Sequence, residues 1–237
     1  RRVAEKIPLI LTRPEAANSA FVADFPKPLA DRLAFIDSPL IAIRSVDAQV
    51  ALEEHAIVLF TSVNGVRFGP PSNGRKAFCV GIRTTQAATS AGWAATCVGQ
   101  NADEMVETLV SARPTEPLYH LSGVHVRGRI VERLEQAGLN AQRIPLYDQL
   151  LLPLSPAAKS ALTSQKPVIV PLFSPRAATH FAAVSPENPR LLVVTMSDAV
   201  TNAMENNTSF ETVTAPEPTA DAVIGCIENL VSTKGLG

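Results

Sequence analysis

Hydroxyl and guanidinium side chains recur in this sequence directly after short runs of branched apolar residues, where a strand would end and a helix begin. Ser62 follows Leu59-Phe60-Thr61, Ser122 follows His120-Leu121, Ser174 follows Leu172-Phe173 and Ser197 follows Thr195-Met196, while Thr84 stands three residues beyond Gly81. A hydroxyl at a helix start accepts a backbone N–H and adds about 1 kcal/mol of helix stability, so capping is the plain explanation for each. The same turn also points free N–H groups and the positive end of the helix dipole at any anion beyond the strand ends. Arginines 13, 67, 83, 127, 129 and 176 crowd these junctions. A cation there opposes the dipole, so their repetition argues for a rim that meets negative charge, although solvated surface charge is the ordinary explanation of any single one. Arg13, Arg127 and Arg176 are the foremost candidates, since a guanidinium can grip a carboxylate with two parallel hydrogen bonds.

Tyr147 is one of two tyrosines and lies in the Pro-bounded segment Ile144–Pro153. A tyrosine keeps its proton at neutral pH, so it can donate to a departing oxygen without carrying charge; a half-buried strand aromatic is the plainer reading. Other chemistry is poorly provided for. No G-x-G-x-x-G, G-x-x-x-x-G-K-[ST] or G-x-S-x-G occurs, so the loops of dinucleotide, P-loop and hydrolase sites are missing. His120 and His125, five apart across a turn, read as core or loop histidines. Cys79, Cys97 and Cys226 are an odd set without C-x-x-C spacing, against both a disulfide framework and a zinc site. No metal and no organic cofactor is expected.

The elements that must position these groups follow from periodicity. Strands are expected at 7–12, 57–61, 77–80, 118–121, 168–173 and 191–196, with weaker ones near 95–98, 141–144 and 210–214. Helices are expected at 15–24, 84–91, 102–112, 127–137, 156–163, 176–184 and 219–231. Such alternation, in a chain that is 46% hydrophobic but only 5% aromatic, suits helices packed on parallel sheets of small branched residues. The pattern also repeats loosely. Leu59-Phe60-Thr61-Ser62 and Pro171-Leu172-Phe173-Ser174 each lead into a helix, then a second strand and a second helix start. Two extended segments, 39–44 and 146–152, interrupt the alternation. The expected fold is therefore α/β, with two similar doubly wound parallel-sheet lobes joined by a two-stranded connector. Residues 1–38 plus 153–237 would form the outer lobe and 45–145 the inserted one.

A net charge of −1 without long runs of one sign argues against nucleic acid and membrane surfaces as partners. The apolar runs are too short to span a bilayer, and none of signal-peptide length follows Arg1, Arg2 and Lys6. A cytoplasmic monomer is expected.

Thr12-Arg13-Pro14, Phe60-Thr61-Ser62-Val63-Asn64-Gly65-Val66, Val80-Gly81 with Thr84, Leu121-Ser122-Gly123-Val124-His125-Val126-Arg127, Leu146-Tyr147-Asp148, Phe173-Ser174-Pro175-Arg176 and Pro216-Glu217-Pro218-Thr219-Ala220-Asp221-Ala222 occur in an order that resembles the uroporphyrinogen-III synthase family. Many members carry a glycine and threonines where this chain has Ser197-Asp198-Ala199-Val200, which leaves Ser197 alone to supply a hydroxyl there. The resemblance implies a polycarboxylate substrate, hydroxymethylbilane, held between the lobes. Water leaves, the terminal pyrrole attacks through a spiro intermediate, and the ring closes with that pyrrole inverted, giving uroporphyrinogen III. Tyr147 would be catalytic, and Arg13, Ser62, Gly81, Thr84, Ser122, Gly123, Arg127, Ser174, Arg176 and Ser197 would bind substrate. The upstream bilane-forming enzyme is the transient protein partner it suggests. A non-catalytic two-lobed binding protein or sensor for a small anion would share the two-stranded connector, serines and arginines.

Overall fold

The computed structural model describes residues 5–126, 128–204 and 210–234. The chain divides into two compact units, residues 1–42 with 151–237 and residues 43–150. In order, the elements are β1 (Ile7–Leu11), α1 (Glu15–Ala23), α2 (Lys27–Ala30), β2 (Leu33–Asp37), β3 (Ile41–Ser45), β4 (Ile57–Phe60), α3 (Val63–Arg67), β5 (Lys76–Val80), α4 (Ile82–Ser90), β6 (Ala94–Gly99) and α5 (Ala102–Ala112). There follow β7 (Leu118–Gly123), α6 (Ile130–Gln136), β8 (Ala141–Leu151), α7 (Pro156–Thr163), β9 (Val168–Leu172), α8 (Pro175–Val184), β10 (Leu191–Thr195), α9 (Asp198–Asn202), β11 (Glu211–Thr214) and α10 (Ala220–Thr233).

The first unit holds a parallel sheet in the order β11-β10-β9-β1-β2. Every residue of β9 and β10 is buried, because helices cover both faces; that two-sided burial is why these strands read as unbroken apolar runs. Alternate residues serve opposite cores. Leu9, Leu11 and Ile169 pack with Phe21 and Ile227 on one face, and Ile10, Val168 and Val170 pack with Leu162 and Phe181 on the other. The second unit is built the same way, on a sheet ordered β3-β8-β7-β4-β5-β6. Val58, Phe60 and Tyr119 face Trp93, while Ile57, Leu59 and Leu118 face Met105 and Leu134.

The two sheets share one winding scheme. From β4, the strands β4, β5, β6, β7 and β8 lie in space as third, second, first, fourth, fifth. From β9, the strands β9, β10, β11, β1 and β2 lie in the same order, with the last two supplied by the start of the chain. The first unit is thus a circular permutation of the second. In both, the winding reverses beside the first strand of the scheme, between β4 and β7 and between β9 and β1. Open α/β sheets take ligands at such reversals, outside the carboxyl ends of the strands. Ser62 and Ser174 end β4 and β9, and Ser122-Gly123 and Thr12-Arg13 end β7 and β1.

Several expectations need correction. Between residues 24 and 39, where no element is expected, Lys27–Ala30 forms a one-turn helix, α2, that starts after Pro26 and hands the chain to β2, an edge strand in register with β1. Segment 146–152 is not a strand of its own: with 141–144 it forms the single strand β8, and segment 39–44 largely becomes β3 beside it. Val46 N–H donates to Leu146 O and Leu152 N–H to Leu40 O, so β3 and β8 run antiparallel. Pro145 is tolerated inside β8 because the register with β7 slips by one residue there, pairing Ser122 with Pro145 but Gly123 with Tyr147. An extra residue, Leu146, is accommodated as a bulge where a ladder donor would be missing anyway.

Candidate active site

Ser62 leaves β4 in an extended conformation, and its hydroxyl accepts the N–H of Gly65 at 3.3 Å to start α3. The same oxygen lies 2.8 Å from the Tyr147 hydroxyl. Tyr147 reaches it from β8 just past the bulge, its ring stacked on Phe68 at 5.6 Å between centroids. Gly123 permits this approach, since a Cβ there would stand 2.9 Å from Tyr147 Cε2. The reversal point between β4 and β7 therefore brings Ser62, Gly123 and Tyr147 together.

The neighbouring candidates differ in exposure: Gly81 is half-buried, while Thr84 and Ser122 are buried. Gly81 caps α4 with φ of 76°, a left-handed conformation that favours glycine. Thr84 lies in the first turn of α4, not at its start, and is only 6% exposed; the hydroxyl that reaches Gly81 O is that of Thr85, at 2.8 Å. Ser122 is likewise inside β7 rather than at a helix start, 2% exposed, with its hydroxyl donating to Gly123 O at 3.0 Å. β7 runs two residues further than its apolar pattern indicates, and α6 begins only at Ile130. Arg127 lies outside the described residues.

In the first unit, Ser174 caps α8 by accepting from Ala177 N–H at 3.2 Å, with Arg176 half-buried in the turn that follows. Arg13 lies flat on Phe173, its Cζ 3.7 Å from the ring centroid, and donates to Ala17 O at 3.4 Å. Burial holds its pKa below the ordinary arginine value. Ser197 caps α9 through its main chain, without a side-chain bond. A cluster missed in the sequence supports that turn: Thr201 Oγ1 donates to Ser197 O at 3.3 Å and lies 2.5 Å from Thr195 Oγ1 and 2.7 Å from Thr214 Oγ1. The only signal for it is a threonine at the end of each of β10 and β11.

A family model for uroporphyrinogen-III synthase HemD matches residues 33–225. The chain belongs to the uroporphyrinogen-III synthase family. The match runs from β2 into α10 and so includes parts of both units. No curated protein sequence matches. Among solved structures, the uroporphyrinogen-III synthetase of Helicobacter pylori is similar with a TM-score of 0.66 at 11% identity, covering 95% of this chain and 99% of that one. A mutant uroporphyrinogen III synthase of Thermus thermophilus is 14% identical, covering 94% and 98%, but its TM-score of 0.49 adds nothing to the fold argument. At such identities the likeness speaks for the α/β fold alone.

Further residues around Ser62, Gly123 and Tyr147 escaped the sequence reading. Arg143 donates to both Gly123 O and Val124 O at 3.1 Å, tying down the chain after β7. No motif marks it in the sequence, and only the parallel pairing of β8 with β7 reveals the clamp. Four of the five large exposed hydrophobics among the described residues, Val63, Ile82, Val124 and Val126, also stand just beyond the strand ends of the second unit. Val63 directly follows the capping hydroxyl of Ser62, and Ile82 directly follows the capping Gly81. Among the described residues no group of three or more His, Cys, Asp or Glu could hold a metal ion, and no helix is long and apolar enough to cross a membrane.

His120 is buried beneath the site, its Nε2 3.1 Å from Thr61 Oγ1. Desolvation first, then the Arg143 charge, push its pKa down from 6.5 to about 4. A histidine with a folded pKa below its unfolded one sheds a proton on folding, so acid favours the unfolded chain. Its contribution to stability is complete above about pH 6.5 and drains away as the pH falls to about 4. The shift corresponds to roughly 2–4 kcal/mol at the acid end. Urea unfolding at pH 7 and pH 4.5 should therefore show a smaller stability loss for His120→Gln than for the parent chain. An equal loss in both would mean that other groups carry the acid sensitivity.

Proposed function

We propose that this chain closes hydroxymethylbilane into uroporphyrinogen III, with loss of water and inversion of the terminal pyrrole. The family match carries the reading, and the Tyr147–Ser62 pair at the sheet reversal gives it a chemical centre. The Tyr147 hydroxyl hydrogen-bonds the departing hydroxyl and passes it a proton as the C–O bond breaks, while the adjoining pyrrole nitrogen pushes electrons into the vacated carbon. That electrophilic carbon is attacked by the substituted carbon of the terminal ring, giving a spiro centre. The spiro carbon then loses its older bond, to the methylene that tied the ring to the rest of the chain, and that methylene recloses on the ring's free carbon, which inverts the ring. The proton lost on rearomatisation matches the one spent on the leaving water, so Tyr147 ends as it began. The net change is loss of one water and needs no oxidant or reductant.

The flat pyrrole faces suit the exposed Val63, Ile82, Val124 and Val126, and carboxylates suit the N–H groups at the start of α4. In the first unit, taken by itself, Arg13, Arg176 and the N–H groups at the start of α8 offer the same chemistry to an anion. A charged hydrogen bond is worth about 1.5–3 kcal/mol, less where solvent screens it. Arg176→Ala is accordingly expected to raise KM about tenfold with kcat little changed. An unchanged KM would return Arg176 to ordinary surface charge.

The test of the proposal is turnover of enzymatically made hydroxymethylbilane after exhaustive dialysis against chelator. Full activity is expected. Tight binding without turnover would favour a sensor, and activity restored by an added metal or nucleotide would contradict a cofactor-free cyclisation.

A further inference from the structure

Ser62 is placed to act on Tyr147 and not on the substrate. A serine hydroxyl has one proton and two lone pairs. One lone pair is taken by Gly65 N–H, the bond that starts α3 and fixes where the oxygen sits. What remains faces Tyr147 Oη at 2.8 Å, a good O–H···O distance. The phenol in turn has no lateral freedom, since its ring is stacked on Phe68 and lies against Gly123 where a Cβ would overlap it.

The consequence lies in the direction of the proton. At rest either oxygen can donate to the other. Once the phenol gives its proton to a leaving group, its oxygen can only accept, and the single proton of Ser62 must point at it. The Ser62–Tyr147 bond then becomes an alcohol donating to a developing phenolate, a stronger bond than the one it replaces. An interaction that strengthens only as the reaction proceeds raises kcat and leaves ground-state binding alone. A substrate carboxylate would have to compete with Tyr147 for the same proton.

We infer that Ser62 is a positioning residue for Tyr147, its hydroxyl held by the first turn of α3 so as to donate to the phenol oxygen as that oxygen gives up its proton. The inference rests on the proposed acid role of Tyr147, and the test separates the two. Ser62→Ala should lower kcat about tenfold with KM within about twofold, the size expected for one charge-assisted hydrogen bond in a partly wet site. Ser62→Thr, which keeps both hydroxyl and cap, should restore most of kcat. Ser62→Gly removes the hydroxyl but retains most of the capping preference, and should match Ser62→Ala even if the alanine variant folds poorly. In a Tyr147→Phe background, removing the Ser62 hydroxyl should change kcat by less than about twofold, because the group it serves is gone. If Tyr147→Phe alone is slow and the Ser62 effect multiplies with it in full, or if Ser62→Gly raises KM with kcat unchanged, Ser62 acts on substrate and the inference is overturned. If Tyr147→Phe turns over at the parent rate, the acid role falls first and the inference with it.

Discussion

Tyr147→Phe is expected to lower kcat about a hundredfold while KM and the melting temperature stay close to those of the parent chain. The substitution removes one oxygen from a buried ring whose packing on Phe68 and Gly123 is retained, so the site keeps its shape. Proton donation by a positioned group is typically worth about 10²–10⁴-fold. The lower end applies here because the electron-rich pyrrole next to the leaving hydroxyl already drives its departure. Product identity should change much less than rate. Choosing the spiro route over direct closure depends on how the flexible bilane is folded, a task spread over many contacts. Type III product should therefore still predominate in the slowed variant. Steady-state kinetics with isomer separation checks both halves, and the parent kcat in a well-folded Phe variant would return Tyr147 to a packing role.

Gly65→Ala is expected to destabilise the second unit and to disturb its site together. Gly65 is buried in α3, where the helix crosses the end of β7; an added Cβ would stand 2.7 Å from the carbonyl oxygen of Leu121 and 3.1 Å from a Phe60 ring carbon. The nearest atom belongs to a central strand and cannot swing aside. Overpacking of this kind costs about 1–3 kcal/mol, whereas the helix-propensity gain of alanine over glycine returns at most about 1 kcal/mol. With the nearest atom fixed in a central strand the clash wins, for a net loss of up to about 2 kcal/mol, or up to roughly 10–15 °C in Tm for a unit of this size. The relief of strain would also carry α3 and Ser62 away from Tyr147, so kcat should fall together with stability. Thermal melting and kinetics on the purified variant test this. An unshifted Tm would mean that α3 stands off β7 further than these contacts allow.

Much of this was legible in the sequence, and for one reason: in a sheet covered on both faces, apolar runs mark the strands and the first polar residue marks the strand end. That logic located Ser62, Ser174 and Arg13 just past the ends of β4, β9 and β1. It was misled where polar residues continue a strand, as at Ser122-Gly123 in β7, and where an edge strand is too mixed to stand out, as at Leu33–Asp37 in β2. It split β8 at Pro145 because the bulge that accommodates a proline there is a property of the pairing with β7, not of β8 itself. The permuted winding is also invisible from local patterns, since it depends on which strands lie side by side. The bond between Ser62 and Tyr147 joins residues 85 apart. No periodicity foretells it; it follows only once β4, β7 and β8 are laid in order and the bulge turns Tyr147 toward the end of β4.

Direct evidence for the central claim is the isomer ratio of the product as the concentration of this protein is raised against a fixed concentration of hydroxymethylbilane. The bilane closes by itself without inversion, so spontaneous and catalysed routes compete for the same substrate and leave different isomers. After oxidation to porphyrins and chromatographic separation, the type III fraction should rise with protein concentration until it accounts for nearly all product. A ratio that stays at the spontaneous type I value at every concentration would contradict the account.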